Sequence, residues 1–431
     1  MSQSIQGPNR HWFWGNTKQF SANTLKFVQH CMTNYSEICL AKIGFRNFFL
    51  PLNAELADYV LRINNKNYKK SIAYSGVKKF LGEGLLTNEG EKWLSQRRVI
   101  QPSFNKKAIE NFRQMMQDET ILMVKNWQSK GIVSLSESIN SLTRNIITRA
   151  IFGADVLKDN RLKQLPAILG SFRKFANDNL KNPFKLPLWV PTRENILFNK
   201  HYQTFQNLIF DAIESRRKST IEQYDLLNIF IHLQDDEGNK MNNTQIFEEI
   251  ATLFIAGQET TSNALQFSFY LLGTNPEKRL KAKQLIKENY DEAMSYINCI
   301  NKETLRLLPP AWAVSREAIN NDKVGHATIK AGDTVFIPIY AFHRNQSEWG
   351  ENANDFVPER FQSTYPKKWY MPFGDGPRFC IGNHFAAMEM DIVVQETLKS
   401  MDFEIVSPQN LSFTTLMTLA PKEEITIKAT E

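Results

Sequence analysis

In the stretch SFNKKAIENFRQMMQDETILM the apolar residues Ile109, Phe112, Met116 and Met123 recur at spacings of three, four and seven. That repeat gathers side chains on one face of an α-helix, so the stretch predicts an amphipathic helix. From Phe198 to Arg217 the same pattern returns with Phe205, Leu208, Ile209, Ala212 and Ile213. It ends on Arg216-Arg217-Lys218, cations that suit the negative end of a helix dipole. Between the two, NPFKLPLWVP carries Pro183, Pro187 and Pro191, which lack a backbone donor, and predicts a loop.

Two-residue alternation is rarer and lies mostly toward the two ends of the chain. TVFIPIY follows the turn residues Gly332 and Asp333, and its Pro338 predicts either an edge strand or a short one. EEITIKA places Ile425 and Ile427 on one face. The pattern predicts a mainly α protein with a small β region, of the α+β class. The helical body covers roughly residues 64–310 and 375–400, with β elements in roughly 38–63, 311–345 and 403–431. No linker composition and no Gly-rich βαβ nucleotide unit interrupts it, so residues 1–431 read as one domain.

The chain has 431 residues, 42% of them hydrophobic and 12% aromatic, which is the composition of a folded globular protein. Its 52 basic and 45 acidic residues leave a dispersed excess of +7. Small basic clusters stand at Arg97-Arg98, Lys106-Lys107 and Lys367-Lys368. They suit a solvated surface or a docking face for an acidic protein, and no nucleic-acid motif accompanies them. Cys31, Cys39, Cys299 and Cys380 form no CxxC pair, which suits a reducing compartment. No leader-like core opens the sequence, and no apolar run approaches the roughly 20 residues a membrane span needs. The expectation is a cytoplasmic protein.

One cysteine stands apart. FGDGPRFCIG sets Cys380 in a glycine-rich turn ahead of a helix-like run, NHFAAMEMDIVVQETL. Unpaired N–H groups and the positive end of a helix dipole favour a thiolate there. Glycines permit flat approach by something large, Arg378 suits a carboxylate on it, and Phe373 suits the sulfur. A planar macrocycle with an axial site and acidic side groups meets these demands, and haem iron held by a cysteine thiolate is the simplest such object.

Phe373, Gly374, Gly376, Arg378, Cys380 and Gly382 together resemble the haem-binding signature of the cytochromes P450. AGQETT, residues 256–261, resembles the oxygen-binding segment of that family's long central helix. ETLR, Glu303 to Arg306, resembles its ExxR motif, FVPERF supplies the closing arginine Arg360, and EKWLSQRR supplies Trp93 and Arg97 at its WxxxR spacing. These motifs fall in the family's order along most of the chain.

The resemblance implies a triangular prism of helices around a buried haem b, as in soluble bacterial-type members. It implies Cys380 as the axial iron ligand, and Ala256, Phe373 and Gly382 beside the cofactor. Trp93, Arg97, Arg316 and Arg378 would partner the haem propionates, with His343 a weaker candidate, while Glu303, Arg306 and Arg360 would form a buried structural network. Glu259 and Thr260 would relay the protons that oxygen cleavage consumes. The plain alternative for Thr260 is a hydroxyl bonded back to its own helical turn. His384, in the first turn after the cysteine, reads as a solvated side chain.

The implied reaction is monooxygenation of a small-molecule substrate with O2, electrons arriving from a separate ferredoxin and its NAD(P)H-dependent reductase. Lys367, Lys368, Lys106 and Lys107 are candidates for steering the ferredoxin. For the substrate, Tyr74, Gln258 and Trp312 are candidate pocket residues, and 74–85 with 182–191 candidate lids. Trp312 is either a flat platform for a sugar or aromatic ring, or core packing. Lys78, Lys79 and Gln258 hint at a polar cavity. The readings left open are O-demethylation of a methylated sugar, with release of formaldehyde, and hydroxylation of a fatty acid or terpenoid. From other classes, a peroxide-driven peroxygenase and a non-catalytic haem sensor are disfavoured by the Glu259–Thr260 pair.

Overall fold

The computed structural model describes residues 5–153, 160–181, 186–219, 224–235 and 237–430. The chain forms two compact units, each assembled from pieces far apart in sequence. Their interleaving explains why the sequence shows no linker between them.

One unit comprises Ala73–Ser262, His384–Met401 and Ala429–Glu431 and is mostly helical. The predicted helix over 103–123 is two helices, Lys106–Glu110 and Arg113–Lys130. The break falls where the Asn111 amide donates to Ala108 O at 3.1 Å and closes the first helix. Ile109, Phe112, Met116 and Met123 are nonetheless all buried. The second predicted helix spans Arg193–Lys218, started by Thr192, whose hydroxyl accepts the N–H of Asn195 at 3.1 Å. Its Arg216 does more than suit a dipole, because the guanidinium clasps Asp225 at 2.6 Å and Phe152 O at 3.0 Å. The proline-rich loop keeps no helix or strand over residues 186–192, and its residues 182–185 lie outside the described residues.

Phenylalanines fill this unit. In helix α1 (Ser75–Leu81), Phe80 stacks on Phe172 with centroids 5.2 Å apart and meets Phe198 at 5.9 Å. Helix α2 (Leu135–Phe152) begins at Ser134, whose hydroxyl accepts from Glu137 N. Helix α3 (Asn243–Thr274) contributes its first part, up to Ser262, with Ile246, Ile250 and Phe254 fully buried.

The other unit comprises Met1–Ile72, Asn263–Asn383 and Asp402–Lys428. Its five-stranded sheet contains β1 (Ile38–Ile43), β2 (Arg46–Pro51), β3 (Tyr68–Lys70), β4 (Val314–Ala318) and β5 (Thr334–Ile337), in the order β1-β2-β5-β4-β3. β2 and β5 are parallel and the other pairs antiparallel. β5 is short, as Pro338 predicted, but it is central and not an edge. The proline is compatible with that place because the strand stops at Ile337 and Pro338 opens the turn Ile339–Phe342. Ile425 and Ile427 are both fully buried, as their alternation predicted. Helix α4 (Tyr290–Leu307) starts at Asn289 with Asp291 and Glu292 in its first turn. Helix α5 (Asn383–Ser400) follows the cysteine turn in the chain and from His384 onward belongs to the helical unit.

Candidate active site

The turn that carries Cys380 is built on backbone conformations that favour glycine. Gly374 and Gly376 have φ of 73° and 71°. A Cβ on Gly376 would also collide with Leu61 O, so this glycine serves a close backbone approach within the fold. Asp375 accepts the N–H of Gly376 and the Arg62 guanidinium, each at 2.6 Å. Cys380 N donates to Phe373 O at 3.0 Å, which closes the turn and brings Phe373 and Phe379 to 6.2 Å between ring centroids. Of the four cysteines, Cys31, Cys39 and Cys299 are buried and Cys380 is exposed. A Cβ on Gly382 would meet nothing within 4 Å. The unit thus presents an accessible thiol beside open space, with Arg316 and Arg378 in the same unit. Among the described residues no cluster of His, Cys, Asp and Glu is arranged to hold a metal ion. A single thiolate in an open glycine turn fits a haem.

Behind the turn stands a buried ion network. Glu303 and Arg306 are 0% exposed and joined by bonds of 2.7 and 2.8 Å. Arg306 also donates to His343 O and Ala353 O at 2.6 Å each, while Arg360 Nε reaches Glu303 at 3.3 Å. His343 is tied in on both sides. Its Nε2 accepts the Met371 N–H at 2.9 Å, so Nδ1 carries the proton and donates to Arg306 O at 3.0 Å. Full burial, with the cation Arg306 adjacent, pushes its pKa down to about 3 and keeps the ring neutral. The network therefore reaches Met371, two residues before Phe373, and sets where the cysteine turn begins.

In the helical unit, Ala256, Glu259 and Thr260 stand half-buried on α3. The Thr260 hydroxyl donates to Ala256 O at 2.7 Å, the back-bond to its own turn. Helix α3 is unbroken through Gly257, where an added Cβ would meet only Ile147, at 3.7 Å. Trp93 is buried on the helix Gly90–Ile100, and Arg97 one turn later donates to Gln101 at 3.1 Å.

A family model described as Cytochrome P450 matches residues 5–429. The chain belongs to the cytochrome P450 family. It is similar to a cytokinin hydroxylase of Arabidopsis thaliana, 30% identical over 85% of this chain and 75% of the relative. It is similar to the 11-oxo-beta-amyrin 30-oxidase of Glycyrrhiza uralensis, 28% identical over 80% of this chain and 72% of the relative. It also resembles the bifunctional cytochrome P450/NADPH–P450 reductase 2 of Bacillus subtilis, at 29% identity over 84% of this chain and 36% of that protein. The α+β fold, the haem with its cysteine thiolate and the monooxygenase activity follow from the family.

Several residues of this cytochrome P450 do other work than the sequence suggested. His343 is no propionate partner, since both ring nitrogens are engaged inside the Arg306 network. Gln258 turns its amide nitrogen to Asn140 Oδ1 at 3.1 Å and Thr143 Oγ1 at 3.3 Å on α2. Trp312 is 7% exposed, packs 5.8 Å from Phe336 and donates its indole N–H to Leu416 O at 3.2 Å. These contacts match the core-packing reading. Lys78 and Lys79 are exposed on α1, the first within 4.0 Å of Glu83, while Tyr74 is half-buried just before that helix. His384 is exposed, as expected.

Sequence reasoning missed a joint between α1 and α3. The segment after α1 bears Gly82 and Gly84, where a Cβ would collide with the Glu248 carboxylate and with Thr252 Oγ1 respectively. The glycines let this backbone lie against α3, where Leu85 N donates to Glu249 at 3.0 Å. Burial pushes Glu249 up to about 7. The two closely spaced glycines in LGEGLL were the available signal. Glu389 on α5, fully buried and pushed up to about 8 by desolvation, had none.

Proposed function

We propose that this cytochrome P450 hydroxylates an apolar small molecule, with Cys380 as the residue that would hold its haem. The observation that carries the assignment is the exposed thiol of Cys380 in its glycine turn, the other three cysteines being buried. When bound, the haem supplies reductive activation of O2, placing one oxygen atom in the substrate and the other in water. Arg316 and Arg378 would bind its carboxylates, and the resemblance gives Trp93 and Arg97 the same role. Glu303, Arg306 and Arg360 hold the thiol in place through His343 and Met371. Thr260 holds a proton at Oγ, parked on Ala256 O at 2.7 Å, and Glu259 exchanges it with solvent.

The apolar class is favoured because the residues that argued for a polar one are spent elsewhere. Trp312, Gln258, Lys78 and Lys79 were the case for O-demethylation of a methylated sugar, and the first two are bonded within the protein while the lysines face outward. A fatty acid or terpenoid hydroxylase is the remaining reading. One relative is named for oxidation of 11-oxo-beta-amyrin, which supports it. Electrons come from a separate ferredoxin and its reductase, steered by the exposed pair Lys367-Lys368 in the turn before Trp369.

A spin-state titration of the ferric holoprotein tests the substrate class. A shift from low to high spin on adding fatty acids or terpenoids is expected, and a response confined to methylated sugars would reverse the assignment. Thr260→Ala should uncouple reductant consumption from product while peroxide-driven turnover survives, and equal loss of both would sink the relay. Charge reversal at Lys367 and Lys368 should weaken ferredoxin binding and flatten its salt dependence.

A further inference from the structure

Residues His11 to Gly15 form a closed turn, with His11 N donating to Gly15 O at 3.0 Å and Gly15 N to His11 O at 2.9 Å. Within it the N–H groups of Phe13 and Trp14 both donate to His11 Nδ1 at 3.2 Å. Trp14 O accepts from Thr17 N at 3.1 Å and from Thr17 Oγ1 at 2.7 Å. The turn is fastened to the β1–β2 hairpin, where Asn16 N donates to Lys42 O at 2.7 Å and Gly44 N donates to Thr17 Oγ1 at 2.8 Å. Gly15, at φ 56°, allows the approach, since a Cβ there would stand 2.9 Å from Lys42 Cβ.

This well-tied backbone holds large rings out in water. Trp12 is 87% exposed, Phe13 46% and Trp14 48%, and the hairpin tip adds Phe45 at 82%. Neighbouring rings touch, at 5.5 Å between Trp12 and Phe13 and 4.9 Å between Phe13 and Trp14, so they make one patch and not scattered singles. Along the sequence that carries the turn, the charge is one-sided. The first acidic residue of the chain is Glu37, while Arg10, Lys18 and Lys26 precede it, and Arg10 and Lys18 are exposed. Lys42 and Arg46 flank the hairpin tip, Arg46 paired to Glu317 at 2.7 Å. Tryptophan favours the boundary between headgroups and hydrocarbon, and cations beside it favour anionic headgroups. A bilayer surface accepts protruding rings without needing a matching pocket.

We propose that the His11–Gly15 turn and Phe45 form a docking surface for anionic membranes, with Arg10 and Lys18 on the headgroups and the rings seated among the upper acyl carbons. The proposed contact lies at headgroup depth, and among the described residues no helix is long and apolar enough to cross a membrane.

The test is co-sedimentation of the haem-loaded full chain with vesicles of phosphatidylcholine alone, or mixed roughly three to one with phosphatidylserine. Binding to the mixed vesicles is expected, falling as salt rises. The triple variant Trp12→Ser, Trp14→Ser, Phe45→Ser should lose about tenfold or more in partitioning, and Arg10→Glu with Lys18→Glu should lose the preference for phosphatidylserine. Unchanged circular dichroism and haem absorbance certify that the variants are folded. If the triple variant does not fold, Trp12→Ser alone, at the most exposed ring, should still weaken partitioning. Wild-type protein that stays in the supernatant overturns the proposal, as does a folded triple variant that sediments like wild type. A dimer abolished by the triple variant, without vesicle binding, overturns it in favour of a second copy of this chain.

Discussion

Glu249 on α3 accepts the backbone N–H of Leu85 at 3.0 Å, and its other carboxylate oxygen has no hydrogen-bond partner among the described residues. The joint after α1 therefore hangs on a carboxyl group that prefers to keep its proton. Burial raises Glu249 to about 7 and Glu389 to about 8, against the ordinary 4.5. A raised acid contributes stability below its unfolded pKa and loses it as pH rises through the folded one. Glu249→Gln keeps an acceptor for Leu85 and removes the charge. It should raise stability at pH 8 by an amount on the order of 1–3 kcal/mol and change little below about pH 4.5, as urea midpoints at the two pH values will show. Glu389→Gln should act in the same direction over a window reaching about one unit higher.

His343 works in the opposite sense. Its folded pKa, about 3, lies below the ordinary 6.5, so between these values the unfolded chain binds the extra proton. Stability is present above 6.5 and is lost as pH falls from there toward 3. His343→Gln should reduce the slope of stability against pH in this window by about one proton, read from urea midpoints across the acid range.

The Glu303–Arg306 pair is wholly buried and donates onward to three backbone carbonyls, at His343, Ala353 and Asp355. Removing one partner strands the other charge without water. Glu303→Ala should cost about 3–5 kcal/mol in denaturant unfolding and lower haem retention in the purified protein. A cost under about 1 kcal/mol would mean the pair behaves like a surface bridge.

Trp312→Ala should behave as a core deletion. A loss of about 3–5 kcal/mol in stability is expected, because the buried indole leaves a cavity beside Phe336. Selective loss of binding for one substrate class, at unchanged stability, would restore its pocket role.

The cysteine turn, the ExxR pair and the amphipathic faces of the two predicted helical stretches were legible because each is a local signal: a glycine-flanked thiol, a fixed spacing, a 3.6-residue period. The parts that were not legible depend on partners distant in sequence. Gln258 reads as polar and available until Asn140 is placed beside it, 118 residues away. Trp312 reads as a platform until Leu416 and Phe336 cover it. His343 was placed among the haem partners by the resemblance alone, and its bonds run inward to Arg306 and Met371. The break at Asn111 was invisible because the apolar face continues across it.

The bond from Arg62 to Asp375 spans 313 residues, and Gly376 lies against the carbonyl of Leu61. The turn that presents the thiol can settle only when a segment made early in synthesis meets one made near its end. Contacts so distant in sequence form late in folding, so this turn is among the last parts of the fold to be fixed, whatever its glycines and its own hydrogen bonds favour locally.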